Sequence, residues 1–142
     1  MQNSGVESQP TLFSVNILVY QTPLVAADTG NEIAWLHGGV NAALAVTTAQ
    51  SIDGAAASLK SILDALSPVK QLIIVDAVYP AANSLNYRTL EIPALNANLS
   101  AVCTQYPNVV WNDTYSAILD TASPTQDPIA GMAYDGILHP NS

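Results

Sequence analysis

An α/β fold on a parallel sheet is predicted by three observations: three short apolar runs that end in turn residues, two intervening segments with helical spacing, and short links throughout. Strand, helix, strand, helix, strand in that order calls for crossover connections, which are right-handed almost without exception. Ligands of such sheets bind beyond the carboxyl ends of the strands, so the residues that follow each strand are the ones to watch.

The first run is Glu32 to His37, Glu-Ile-Ala-Trp-Leu-His, and it leads into Gly38-Gly39, as a buried strand does when it enters a tight turn. Ser51 and Asp53 suit the start of a helix whose apolar residues Ile52, Ala55, Ala56, Leu59, Ile62, Leu63 and Leu66 recur at helical spacing until Ser67-Pro68 ends it. Gln71 to Ala77 carries Leu72, Ile73, Ile74 and Val75 in succession, the pattern of a central parallel strand covered on both faces. Pro93 fits the first turn of a helix through Leu95, Leu99, Val102 and Cys103, closed by Tyr106-Pro107. Val109-Val110-Trp111 is then a third strand. Leu12 to Ala27 fits two templates: Leu12, Val15, Val19 and Tyr20 share a helical face, whereas Val15 to Val19 also reads as a strand, and helix is the expectation. Thr121 to Ala133 reads as a long polar loop.

The length of 142 residues suits a single domain, 1–142. Hydrophobic residues make up 49% of the chain and charged ones 10%, so enough apolar area is available to offset the entropy of ordering. A formal net charge of -8 repels phosphate backbones and anionic lipid heads, and Lys60, Lys70 and Arg88 are scattered, so nucleic acid is not an expected partner. No apolar run reaches the roughly 18 to 20 residues of a membrane span, since Ser14, Asn16, Gln21, Thr22 and Pro23 interrupt Leu12 to Val25. Cys103 is the single cysteine, which rules out a disulfide within the chain, leaves the redox compartment open, and reads as a small buried residue at helical spacing from Leu99. Asn98-Leu99-Ser100 and Asn112-Asp113-Thr114 match the glycosylation triplet, a pattern common by chance.

Two places carry candidate chemistry. In Gly38-Gly39-Val40-Asn41, two glycines let the backbone approach a ligand, and the Asn41 amide either donates to an oxyanion or caps a helix beginning near Ala42. Near the end of the chain, Asp135 and His139 are separated by three residues in Tyr134-Asp135-Gly136-Ile137-Leu138-His139-Pro140, close enough for a carboxylate to orient an imidazole, the requirement of a general base. His139 also reads as a solvated histidine, and His37, at a strand end, reads as packed. No cluster of His, Cys and carboxylates has zinc spacing, and no cofactor is called for.

Together these segments resemble the SGNH hydrolases, or GDSL esterases, whose third block reads Gly-x-Asn-Asp after a strand and whose fifth reads Asp-x-x-His-Pro. Asn3-Ser4-Gly5-Val6-Glu7-Ser8 resembles the second block, Asn-x-Gly-Val-x-Gly, and Tyr79-Pro80 resembles the strand-to-proline step, so the likeness runs in order through nearly the whole chain. The resemblance implies a flavodoxin-like three-layer α/β/α fold and hydrolysis of small acyl or acetyl esters through an acyl-enzyme. It assigns His139 as the base, Asp135 as its orienting carboxylate, and Asn41 with the backbone amide of Ser8 as the oxyanion donors.

The departures are specific. The first block, Gly-Asp-Ser with its nucleophilic serine, is not found in these 142 residues; Ser4 in Gln2-Asn3-Ser4 is an alternative nucleophile without an apolar strand before it. The implied expectation is an interior piece of the fold lacking its first strand and its last helix, with the sheet completed by a partner chain, by a homo-oligomer or by Val15 to Val19 moving into the vacant place. Ser8 stands for the usual glycine, Ala42 for the usual aspartate, and Asp135 to His139 is one residue longer than the family spacing, which turns the imidazole unless the loop bulges. The alternatives are a non-catalytic binding or structural module on the same scaffold, and an unrelated flavodoxin-like or Rossmann-like domain, for which no glycine-rich phosphate loop is present.

Overall fold

A computed structural model of the chain describes residues 22–30, 32–37, 52–80, 91–124 and 127–132. The elements run Thr22–Ala27 (α1), Ile33–Leu36 (β1), Ile52–Leu66 (α2), Leu72–Asp76 (β2), Ile92–Cys103 (α3), Val109–Asn112 (β3) and Thr114–Ile118 (α4). The three strands form one parallel sheet in the order β1-β2-β3. The protein is α/β, with the three strands and the two crossover helices where the apolar runs and the helical spacing predict them. The described part of Leu12 to Ala27 is helical, as α1, and the described residues 121–124 and 127–132 are turns and extended chain, with a bridge between Leu119 and Pro128.

Sequential strand order with right-handed crossovers puts both crossover helices on one face of the sheet, and α2 packs along α3 there. The α2 stripe Leu59, Ile62, Leu63 and Leu66 follows the i, i+3, i+4, i+7 spacing of one helical face, and every member is sealed. It meets Leu95 and Leu99 of α3 and Ala34, Ile73 and Val75 of the sheet in a single apolar cluster. Each fully buried side chain of this size contributes about 1.5–3 kcal/mol relative to exposure, so this layer carries the fold. Pro93 occupies the first turn of α3, where its missing N–H costs nothing. At the amino edge of the sheet Asn108 donates to the carbonyls of Ser67 (3.0 Å) and Lys70 (2.7 Å) and accepts from the Ser67 hydroxyl (2.7 Å), tying the end of α2 to the start of β3.

The other face differs from the expectation of a central strand covered on both sides. Strand alternation and the parallel register place Ile33, Trp35, Leu72, Ile74 and Val110 together there. Ile33, Trp35 and Val110 are 58%, 57% and 50% exposed, and Leu72 and Ile74 are half-buried, whereas Ile73 and Val75 on the helix side are fully buried.

Candidate functional site

On the uncovered face, side chains change from apolar to polar toward the carboxyl edge of the sheet. Continuing the alternation by one step brings His37 after β1, Asp76 at the end of β2 and Asn112 at the end of β3 into one row. Asp76 sits at the centre of that row and is 3% exposed. Its carboxylate accepts three N–H groups: Trp35 Nε1 at 2.7 Å and His37 Nδ1 at 3.2 Å on Oδ2, and Asn112 Nδ2 at 2.7 Å on Oδ1. A carboxylate removed from water is tolerable only when so provided, since taking away one partner of a buried charge costs about 3–5 kcal/mol. The donors come from both neighbouring strands, so Asp76 also joins all three strands at the edge where ligands of parallel sheets bind.

His37 occupies a different environment. Its side chain is 52% exposed while the carboxylate it faces is 4% exposed. The packed histidine expected at the end of the first strand is therefore a solvent-facing one: β1 ends at Leu36, and the alternation turns the imidazole onto the open face. Its ring lies 4.7 Å from the Tyr79 ring, tilted by 45°, an edge-biased contact of the kind aromatic pairs favour. Because the carboxylate opposite Nδ1 only accepts, Nδ1 carries the hydrogen in neutral His37 and Nε2 keeps its lone pair. Among the described residues nothing hydrogen-bonds to Nε2. Burial first, and the negative charge of Asp76 second, push the Tyr79 phenol above its ordinary value, so it stays protonated at neutral pH.

The segment after β2 is held from below. Asn96 of α3, 8% exposed, accepts from the backbone N–H of Val78 at 2.8 Å and donates to its carbonyl at 2.9 Å, satisfying a buried peptide unit that no sheet ladder reaches. Thr114 Oγ1 donates to the carbonyl of Ala77 at 3.0 Å, and the N–H of Ala77 donates to Asn112 O at 2.9 Å. The Asp113 carboxylate caps α4 by accepting from Ser116 N at 3.1 Å. Tyr79 and Asp76 thus stand on backbone fixed from two sides.

All four residues assigned from the sequence motifs, Ser8, Asn41, Asp135 and His139, lie outside the described residues, as does Ser4. What the structure brings together is the set Trp35, His37, Asp76, Tyr79 and Asn112. Two signals in the sequence could have found this set, which the reading of the motifs missed: an aspartate closing the apolar run Leu72 to Val75, and a histidine two positions after a tryptophan on an alternating strand. Cys103 is buried in the core, its thiol raised to about 11 by burial, and takes no part in the edge. Among the described residues no group of three or more His, Cys, Asp and Glu side chains could hold a metal ion, and no helix is long and apolar enough to cross a membrane.

The arrangement defines a class: a parallel α/β protein with a carboxylate–imidazole pair at the carboxyl edge of its sheet. No family model matches the chain, and comparison with curated proteins returned no match.

Proposed function

We propose that the protein is a carboxylic ester hydrolase of the SGNH type, acting on small acyl or acetyl esters through an acyl-enzyme. The observation that carries this is the carboxyl edge of the sheet, where buried Asp76 gathers Trp35, His37 and Asn112 from the neighbouring strands, and Gly38-Gly39-Val40-Asn41 comes next in sequence after His37. Two glycines followed by an amide side chain in that stretch of sequence suit a developing oxyanion.

In this proposal His139, oriented by Asp135, takes the proton of a serine hydroxyl as its oxygen attacks the ester carbonyl, and Asn41 with the Ser8 amide holds the oxyanion. The leaving alcohol takes that proton, and water, activated by the same imidazole, releases the acid. The three-layer α/β/α fold of the family belongs to the same proposal: Ile33, Trp35 and Val110 form the face that a second helical layer would cover. Among the described strands β1 pairs with β2 alone, so its outer side is where a further strand, from this chain, a second copy or a partner, would add. A non-catalytic binding module on the same scaffold is the second reading, favoured by Ala42 in place of aspartate and by the extra residue between Asp135 and His139.

A fluorophosphonate probe followed by peptide mass spectrometry tests the acyl-enzyme. One labelled serine, with labelling lost in His139→Ala, is expected. Absence of any labelled serine contradicts the acyl-enzyme and favours the module.

A further inference from the structure

We infer that His37, held by Asp76, is an imidazole base in its own right and activates water for direct attack on the ester carbonyl, a route alternative to the serine acyl-enzyme. The inference rests on the ester-hydrolase proposal for its substrate class, but not on a nucleophilic serine or on His139.

The geometry provides each requirement of a base. The carboxylate that orients it is buried, accepts three N–H groups and is fixed by strands on either side, so it holds the imidazole at a set angle. The hydrogen on Nδ1 is committed to Asp76, which leaves the Nε2 lone pair for a proton from outside. The ring is half-exposed, so water reaches it. Tyr79 packs against the ring and limits its rotation. Two of the three Asp76 donors, Trp35 and Asn112, stay in place whether His37 is neutral or protonated, so the carboxylate is already organised for the imidazolium when it forms.

The step balances without a further reactant. Nε2 of His37 takes a proton from water as the water oxygen bonds to the carbonyl carbon and the carbonyl electron pair moves to its oxygen. When that pair returns, the bond from carbon to the alcohol oxygen breaks, and the alkoxide takes the proton from His37. Ester and water give acid and alcohol, and the imidazole is regenerated.

The test is steady-state hydrolysis of p-nitrophenyl acetate by the full chain and by His37→Gln, Asp76→Asn, His139→Gln and His37→Ala, with far-UV circular dichroism to confirm folding. A base contributes typically about 10²–10⁴-fold, so His37→Gln is expected to lower kcat by about 100-fold or more with KM little changed. Asp76→Asn is expected to lower kcat in the same direction by a smaller factor. Added imidazole is expected to rescue His37→Ala saturably above the rate of imidazole in buffer, which a merely structural role would not produce. Such a loss and rescue support the inference whatever His139→Gln does. Turnover within twofold of wild type in folded His37→Gln, or loss without imidazole rescue in His37→Ala, overturns it; if His139→Gln is then the inactive variant, the ester-hydrolase proposal stands alone. Wild-type release no faster than buffer overturns both.

Discussion

Trp35 donates its indole N–H to Asp76 Oδ2 at 2.7 Å, which ties a ring on the open face of the sheet to a carboxylate buried at its carboxyl edge. The bond joins β1 to β2 through side chains, beside the backbone ladder. Trp35→Phe keeps an aromatic ring, though a smaller one, and removes the donor, leaving Asp76 one N–H short. A loss of about 1–3 kcal/mol in unfolding free energy is expected, measured by urea titration followed by circular dichroism, and a value within about 0.3 kcal/mol of wild type would contradict the bond.

Asn96 replaces a missing backbone partner for Val78, both as donor and as acceptor. Asn96→Leu preserves approximate volume but strands a buried N–H and a buried carbonyl. The expected destabilisation is about 2–4 kcal/mol. Hydrogen exchange at the Val78 amide is the specific readout: it accelerates in the variant if Asn96 is the acceptor, and is unchanged if it is not.

Asp64 on α2 is paired with Lys60 at 2.8 Å and accepts from the Tyr106 hydroxyl at 2.6 Å. These two hydrogen bonds, that of Lys60 first, hold the Asp64 carboxyl below its ordinary value of 3.8, and the same pair holds Lys60 above 10.5. The signs follow. The depressed carboxyl supports the fold above 3.8 and withdraws that support as pH falls below it, and the raised ammonium supports it below 10.5 and withdraws it as pH rises further. Both groups are exposed and screened by solvent. Asp64→Asn is therefore expected to lower stability modestly near neutral pH, where the pair is intact, and to match wild type in strong acid, so that its acid limb is shallower, and the difference is expected to vanish in about 1 M salt.

Cys103 is buried among core residues, and its thiol is raised to about 11 from 9.0 by burial. The thiolate is the reactive form. Native protein at neutral pH is expected to resist a thiol reagent such as dithionitrobenzoate, and protein in urea to react with one equivalent. Because the neutral thiol is the form the core accepts, its contribution holds below pH 9.0 and is lost as pH rises toward 11.

The strands and crossover helices were legible because each is specified locally. Leu72 to Val75 has no polar interruption, Leu59, Ile62, Leu63 and Leu66 keep one helical face, and Pro93 and Ser67-Pro68 mark helix ends. The short α4 was not legible: five residues show no period, and its one signal, Asp113 as N-cap, lies in a segment that reads as a glycosylation triplet. The edge cluster was missed for a different reason. Asp76 and Asn112 are 36 positions apart in sequence and His37 and Asp76 are 39 apart, and only the parallel register makes them neighbours. Read singly, a histidine after an apolar run looks packed. Read with the alternation of Ile33 and Trp35, it faces outward.

The measurement that tests catalysis at this edge most directly is p-nitrophenolate release from p-nitrophenyl acetate by the wild-type chain, followed well beyond one equivalent per chain. Linear release through many equivalents, above the buffer rate, is the predicted result. Release that stops at one equivalent or fewer, or that only matches buffer, contradicts an ester hydrolase.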